Sequence, residues 1–251
     1  MVDRPKFDYS AFPPGFYQEV IDGGNPVRAA WHLQKFRRVI HCLPQKENQS
    51  ILDVGCFAGS FLALIDQAQF SRQVGVDILQ NQVDYASARF GTEFRSFQCA
   101  ESMASIDFPG QSFDCVTLIE VLEHLSIIEA STFLQKATHI LKPNGKLVVT
   151  TPNYASMWPL LEMLINRFSD VSYEEQHITK FNYFTVGRTL RKLFPDFDRF
   201  FAVDFVTTTH FMAPFVAAIS PEWSNQISLA VDHKKWRFPF GNLILISLTR
   251  K

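Results

Sequence analysis

Short apolar runs alternate with longer amphipathic stretches over the first part of the chain. The runs have the length of buried strands, and the stretches between them repeat apolar residues at helical spacing. The pattern predicts strands at about 51–54, 74–78, 93–99, 113–118 and 146–151. Strands that alternate with helices in this way are typical of an α/β fold, a parallel sheet with helices on both faces.

The last part of the chain departs from this alternation. Two apolar stretches, 200–207 and 243–249, predict a final antiparallel pair of strands. Residues 154–184 and 208–240 interrupt the repeat, and we interpret them as insertions that cover a substrate. The apolar segment 157–165 also fits an interface or a core helix.

The beginning of the chain is different again. Four residues that break helices (Pro5, Pro13, Pro14 and Gly15) predict an irregular lead-in, and a helix is expected from about Val27 to Leu43. We therefore expect a lead-in and helix over 1–45 and a main domain over 46–251; the helix is a candidate lid because it resembles the N-terminal helix that covers the cofactor site in related enzymes. Tyr17, Arg28, Trp31 and His32 are candidate lid residues, although a packing helix with a solvated basic face fits the pattern equally well.

A glycine turn after the first strand is the first candidate binding element. Gly55 and Gly59 separate the apolar strand 51–54 from an apolar run that suits a helix. A strand, a tight turn and a helix bring backbone N–H groups close to a ligand. Asp77 ends the second strand, where an acid can accept hydrogen bonds from both ribose hydroxyls of a nucleoside. Alternatively, the turn is merely tight, and Asp77 merely caps the next helix.

These residues resemble the motifs of class I S-adenosylmethionine-dependent methyltransferases. Residues 52–59, LDVGCFAG, are similar to the first motif of that family, with Phe57 where the family has its middle glycine. Residues 76–78 resemble the ribose-binding motif, and the segments 113–124 and 141–150 resemble the motifs of the fourth and fifth strands. The resemblance implies a Rossmann-like doubly wound sheet, mostly parallel with an antiparallel final strand, and S-adenosyl-L-methionine as cofactor.

The resemblance also implies which residues bind that cofactor. Phe57 is expected to place a bulky ring where the tail of the cofactor passes, and Ala100 and Glu101 fall where the family contacts adenine. The expected cofactor-binding residues are Asp53, Gly55, Cys56, Phe57, Gly59, Asp77, Ile78, Ala100, Glu101 and Glu120.

An E-x-x-E-H run follows the fourth strand and supplies candidate catalytic groups. His124, His177 and Glu120 are the expected catalytic or substrate-contacting residues, since a histidine can act as a general base near neutral pH. Glu120, Glu123, His124 and His177 can also bind a divalent cation, as in the small-RNA 2′-O-methyltransferases that they resemble. Metal-free small-molecule enzymes that resemble the ubiquinone-pathway O-methyltransferases carry the same run. We favour the interpretation as a metal-free small-molecule enzyme and expect no metal.

Composition narrows the range of partners. The formal net charge is −1 and no basic block is present, which argues against long nucleic acids. No apolar segment reaches the roughly 20 residues of a membrane span, and no signal peptide is evident. Four cysteines without paired spacing fit a cytoplasmic protein.

The sequence thus favours a methyltransferase for a small molecule or sugar-like metabolite, with oxygen as the favoured methylated atom. We expect a small-molecule acceptor, no long nucleic acid, no membrane, and a monomer or homodimer. Two alternatives stay open, a metal-dependent RNA 3′-end 2′-O-methyltransferase and a non-catalytic cofactor-binding or scaffold protein.

Overall fold

A seven-stranded sheet forms the centre of the protein in a computed structural model that describes residues 12–168, 177–211, 213–230 and 238–251. In chain order the strands are β1 (Gln49–Val54), β2 (Phe70–Asp77), β3 (Arg95–Cys99), β4 (Phe113–Ile119), β5 (Leu141–Pro152), β6 (Phe201–Thr209) and β7 (Leu243–Arg250). The spatial order is β3-β2-β1-β4-β5-β7-β6. β7 runs antiparallel to both of its neighbours, and the other pairs are parallel, so the predicted fold class is confirmed.

Alternate residues of the central strands enter two separate hydrophobic cores. On one face Leu52 packs in the larger core with Phe133 of the helix that precedes β5. On the other face Ile51 packs with Phe36, Val39 and their neighbours. Both faces of the central strands are therefore covered, which explains their continuous apolar sequence.

Ten helices surround the sheet in the described ranges. They are α1 (Phe16–Gly23), α2 (Pro26–Cys42), α3 (Ser60–Ala63), α4 (Gln80–Phe90), α5 (Ile127–Ile140), α6 (Trp158–Phe168), α7 (Val186–Leu193), α8 (Phe197–Phe200), α9 (Ala213–Ile219) and α10 (Pro221–Ala230). None of them is long and apolar enough to cross a lipid bilayer.

Several boundaries differ from the sequence prediction; β2, for example, begins at Phe70 rather than at about Val74. The helix after the glycine turn contains only Ser60–Ala63, because the N–H groups of Leu64 and Ile65 bond to carbonyls three residues back and tighten the last turn. β5 is counted from Leu141 rather than Lys146, since Leu141 already pairs with Phe113 ahead of a register shift. The segment 142–145 therefore lies inside the irregular start of β5.

The helix α2 lies over the cavity side of the sheet. Asn25 caps its N-terminus by accepting hydrogen bonds from the N–H groups of Val27 and Arg28 at 2.9 and 3.2 Å. Its basic residues form the solvated face that the pattern allowed only in part, because Arg37 is exposed whereas Lys35 and Arg38 are only 5% and 6% exposed. The contacts that bury Lys35 belong to the site.

The two predicted insertions are described in part. Residues 154–168 and 177–184 include α6 and a segment beside the end of β4, and 213–230 form α9 and α10 against α2. The remaining predicted parts, 1–11 of the lead-in and 169–176, 212 and 231–237 of the insertions, lie outside the described residues.

Candidate active site

A cavity of about 1760 Å³ opens at the carboxyl ends of β1, β2 and β4. The strand order reverses between β1 and its two neighbours, β2 and β4, and ligands of doubly wound sheets bind at such a switch point. α1 and α2 supply one wall of the cavity, and α6 and the segment 177–180 supply another.

The glycine turn takes a left-handed backbone at three positions. Gly55, Phe57 and Gly59 have φ values of 77°, 46° and 77°. The N–H groups of Gly55 and Cys56 both donate to the Val76 carbonyl, at 2.8 and 3.1 Å, which ties the turn to the end of β2. Phe57 thus adopts a left-handed backbone that favours glycine.

Asp77, the last residue of β2, accepts a hydrogen bond from the glycine turn. Its Oδ2 accepts a hydrogen bond from the Phe57 N–H at 2.7 Å, and its Oδ1 accepts one from the Leu79 N–H at 3.0 Å. Burial raises the pKa of this carboxyl, although these backbone hydrogen bonds partly oppose the shift. Each oxygen retains acceptor capacity that hydroxyl donors from the cavity can use.

Asp53 lies one layer deeper and plays a structural part. Thr117 on β4 donates a hydrogen bond to its Oδ1 at 2.7 Å, which links β1 to β4 beneath the turn. Asp53 is 2% exposed, and burial, with a smaller contribution from the charge of Asp77, raises its pKa to about 7.

Glu120 pairs with the lid helix rather than with the histidines. It follows β4 with a φ of 54°, and its N–H donates to the carbonyl and the hydroxyl of Thr150. Its carboxylate forms an ion pair with the Lys35 ammonium, whose side chain is 6% exposed. The buried pair fixes α2 against the end of β4.

Glu123, His124 and His177 meet on the other side of the cavity. The three side chains offer ligand atoms that all lie within 4.8 Å of one another, and the two imidazole rings are 5.0 Å apart. The Thr179 N–H donates to the Glu123 carbonyl at 3.1 Å and holds the segment of His177 against the turn after β4.

Glu123 is the least satisfied polar group of this cluster. It is 1% exposed, and within the described ranges neither carboxylate oxygen has a hydrogen-bond partner of normal geometry. Burial, followed by the nearby charge of Glu120, raises its pKa to about 8. Such a buried carboxylate is stable only if it is protonated, accepts a hydrogen bond or binds a cation.

Glu162 of α6 orients His177. His177 Nδ1 lies 2.8 Å from Glu162 Oε1, and the Tyr154 hydroxyl lies 2.8 Å from the same nitrogen and 3.0 Å from Glu162 Oε1. Burial opposes ionisation of Glu162, but the hydrogen bonds from His177 and Tyr154 outweigh it and lower the pKa. An Nδ1–H that donates to Glu162 makes Nε2 the nitrogen that can accept a proton.

Aromatic rings of α1 and α2 line the cavity. Tyr17 lies 4.9 Å from Phe57 and 4.7 Å from His32, between ring centroids. Trp31 lies 4.4 Å from His210, between ring centroids. His210 is 3% exposed, and burial lowers its pKa to about 4, so it is a neutral packing group.

The structure brings nearly all of the expected site residues to one cavity. Gly59 is not among the residues that line it; a Cβ there would lie 2.8 Å from the Phe97 ring, so this glycine serves packing. Lys35 and Glu162 were missed as site residues, although both line the cavity. The expected residues that line it are Asp53, Gly55, Cys56, Phe57, Asp77, Ile78, Ala100, Glu101, Glu120, His124 and His177.

Comparison with known proteins identifies the fold family. Residues 29–198 match the family model described as "Methyltransferase domain". The chain belongs to this methyltransferase domain family. The match begins inside α2, so the family includes most of the lid helix, and the resemblance seen in the sequence motifs is confirmed.

Curated relatives of the methyltransferase domain differ in the atom that they methylate. A phosphoethanolamine N-methyltransferase of Plasmodium falciparum is 26% identical over 132 residues, 53% of this chain and 49% of the relative. A ubiquinone biosynthesis O-methyltransferase of Bradyrhizobium diazoefficiens is 30% identical over 135 residues, 51% of each chain. The chain thus spans about half the length of the curated relatives that it matches.

Solved structures confirm the fold. An S-adenosylmethionine-dependent methyltransferase of Mesorhizobium loti has a TM-score of 0.59 at 18% identity over 92% of this chain and all (100%) of the neighbour. A phosphoethanolamine N-methyltransferase of Haemonchus contortus, solved with phosphoethanolamine and S-adenosylhomocysteine, has a TM-score of 0.60 at 14% identity over 94% of this chain and 47% of that one. S-adenosylmethionine is the cofactor of the family.

Proposed function

We propose that the protein is an S-adenosylmethionine-dependent methyltransferase that acts on a small molecule or sugar-like metabolite, with oxygen as the favoured methylated atom. One observation carries the proposal: the Phe57–Asp77 turn and the Glu123, His124 and His177 cluster open into the same cavity. One part suits a nucleoside, and the other suits an acceptor that must lose a proton.

The residues present fit the cofactor. The Asp77 oxygens can each accept a further hydrogen bond, as from a ribose hydroxyl. Ala100 and Glu101 line the cavity beyond Asp77. When bound, the cofactor supplies a methyl group on a good leaving group, so the protein has to align the acceptor and exclude water.

His177 is the proposed general base. Glu162 holds the imidazole at Nδ1, and Nε2 takes the proton of an acceptor hydroxyl as the oxygen attacks. His124 and Glu123 lie beside it and orient that hydroxyl. Phe57, Tyr17 and Trp31 cover the cavity and keep water from the reacting atoms.

The test is methyl transfer from a labelled cofactor to fractionated metabolites. We expect label in a small molecule, and a loss of about 100-fold or more for His177→Ala without loss of S-adenosylhomocysteine binding. His139→Ala is the matched control, since His139 is exposed on α5 away from the cavity. Binding without transfer to any fraction would instead support the non-catalytic cofactor-binding alternative.

A second candidate function uses a divalent cation. Glu123, His124 and His177 converge as cation ligands, and Glu162 holds the distal nitrogen of His177 as carboxylates do in metal sites. In the described part of the chain neither oxygen of Glu123 has a hydrogen-bond partner of normal geometry, although the Thr151 hydroxyl lies close enough to lower its pKa. Glu123, His124 and His177 would hold such a cation, and it would supply positive charge beside the acceptor hydroxyl, as in a metal-dependent RNA 3′-end 2′-O-methyltransferase. Glu120 is not part of this set, since it pairs with Lys35.

Metal analysis separates the two candidates. Protein dialysed against manganese or magnesium is compared with Glu123→Gln, and with Glu93→Gln as an exposed control. One bound ion that Glu123→Gln removes, together with loss of transfer in chelator, supports the second candidate. Transfer that is indifferent to chelator supports the first.

A further inference from the structure

Gln82 of α4 holds residues 12–15, the described end of the lead-in, by their backbone. Its side chain is 0% exposed. The amide oxygen accepts a hydrogen bond from the Gly15 N–H at 3.0 Å, and the amide nitrogen donates to the carbonyls of Phe12 and Pro13 at 3.3 and 3.0 Å. The whole hydrogen-bonding group of the side chain is thus directed at a segment 67–70 residues away in the sequence.

Gly15 allows this segment to lie close to α4. Its φ of 80° is in the left-handed region, and a Cβ there would lie 2.4 Å from the Tyr85 ring. Tyr85 follows Gln82 by three residues, so both side chains lie on one face of α4. Gly15 directly precedes α1, and the contacts with α4 therefore fix where α1 begins.

The segment held in this way places aromatic rings against the turn after β1. The Phe12 ring is 6.3 Å from the Phe57 ring, and the Tyr17 ring of α1 is 4.9 Å from it, between centroids. All three residues line the cavity, and Phe12 is 8% exposed. The aromatic part of the cavity wall therefore depends on the position of the lead-in.

The turn is contacted from two sides by residues of one short stretch of chain. Asp77 accepts a hydrogen bond from the Phe57 N–H, and Gln82, five residues later, holds the segment whose rings contact the Phe57 side chain. A ligand that Asp77 binds would lie beside those rings. Their position is then expected to control how that ligand enters and leaves the cavity.

We propose that Gln82 is a positioning residue that keeps the Phe12 and Tyr17 rings over the cofactor part of the cavity and so slows release of the cofactor. The inference deepens the proposed function and rests on its cofactor site, not on the methyl acceptor. Loss of the amide takes a hydrogen-bond partner from three backbone groups that pack against α4. Such groups recover hydrogen bonds by moving into water, which would carry the rings away from the turn.

Stopped-flow measurement of S-adenosylhomocysteine release tests this role. The main variant is Gln82→Met, which keeps the length of the side chain and removes its hydrogen bonds. Gln80→Met is the matched control, because Gln80 lies on the same helix, is exposed and donates to Asp84. Phe12→Ala removes one of the positioned rings but keeps the hydrogen bond from Gln82, which is made to the backbone of residue 12.

We expect release to be at least tenfold faster in Gln82→Met and in Phe12→Ala, and unchanged in Gln80→Met. Because the ligand enters by the same route, association should also become faster, and the affinity should change less than the release rate. The double variant Gln82→Met/Phe12→Ala should release the ligand no faster than the faster single variant, since both changes remove the same cover.

Three results would overturn the inference. The first is a lower urea midpoint of Gln82→Met with an unchanged release rate, as expected of a residue that only stabilises the fold. The second is a release rate of the double variant that multiplies the two single effects, because Gln82 would then not act through the Phe12 ring. The third is unchanged release from Phe12→Ala, which keeps the test decisive should Gln82→Met fold poorly.

These results are distinct from a failure of the proposed function. A wild-type protein that does not bind S-adenosylhomocysteine would contradict both the proposed function and the role of Gln82. Binding with unchanged release rates in the variants would contradict the role of Gln82 alone.

Discussion

The Phe57 N–H donates a hydrogen bond to the Asp77 carboxylate over 2.7 Å. This contact joins the turn after β1 to the end of β2 and fixes the carboxylate at the mouth of the crevice. It depends on the backbone of residue 57, which has a positive φ, and not on its side chain. The ring packs against Tyr17 and Phe12 of the lid region instead.

Two substitutions at Phe57 separate its backbone from its ring. Because the N–H is retained, Phe57→Gly is expected to bind S-adenosylhomocysteine within about threefold of wild type. Loss of the ring lowers the free energy of unfolding by about 1–2 kcal/mol. Phe57→Ala also loses the ring and keeps a strained positive φ, so it should be less stable than Phe57→Gly by about 1 kcal/mol.

Urea unfolding and calorimetry check these values. A cofactor affinity that falls tenfold or more in both variants would show that the ring itself contacts the cofactor, as the sequence led us to expect.

The contact between Glu162 and His177 predicts a fixed tautomer. In the wild type, nitrogen-15 spectra should show the His177 proton on Nδ1, and Glu162→Leu should lose that preference. Label transfer should fall about tenfold or more in the same variant. Tyr154→Phe is the milder variant, since it removes the hydroxyl that lies near both Glu162 and His177 but keeps the contact between Glu162 and His177. An unchanged spectrum in Glu162→Leu would show that other contacts orient the ring.

The raised pKa of Asp53 predicts a pH-dependent stability. The folded protein holds the proton up to a pKa of about 7, whereas an unfolded aspartate releases it near 3.9. The stabilisation that this bound proton gives the folded protein is complete below pH 3.9 and is lost as the pH rises through 7. Relative to Asp53→Asn, the wild type should lose roughly 3 kcal/mol between pH 5 and pH 8.

Urea titrations at the two pH values measure this difference. Asp66→Asn, at an exposed acid, should follow the wild type. Parallel behaviour of the wild type and Asp53→Asn would mean that Asp53 is ionised in the folded protein.

The sequence allowed prediction of the sheet because its signals are local. Buried strands are apparent as apolar runs, and α4 ends at Phe90, directly before Gly91. The glycines and Asp77 mark the carboxyl ends of neighbouring strands, so their convergence also follows from the order of elements.

The missing site residues depend on long-range contacts. Lys35 reads as a solvated lysine until α2 lies against the end of β4, where Glu120 meets it. Glu162 belongs to an apolar stretch, and its partner His177 follows 15 residues later, beyond the helix. The two residues of each pair are far apart in the sequence and show no pattern that predicts their contact, so only the folded structure reveals the pairs.

Cofactor binding by an Asp77 variant tests the central claim most directly. Calorimetry with S-adenosylhomocysteine compares the wild type, Asp77→Ala and the control Asp84→Ala, which removes an acid of α4 that bonds to Gln80. We expect the wild type and the control to bind alike, and Asp77→Ala to bind at least tenfold more weakly, since hydrogen bonds to a charged group contribute about 1.5–3 kcal/mol. Equal affinity of all three proteins would contradict the account.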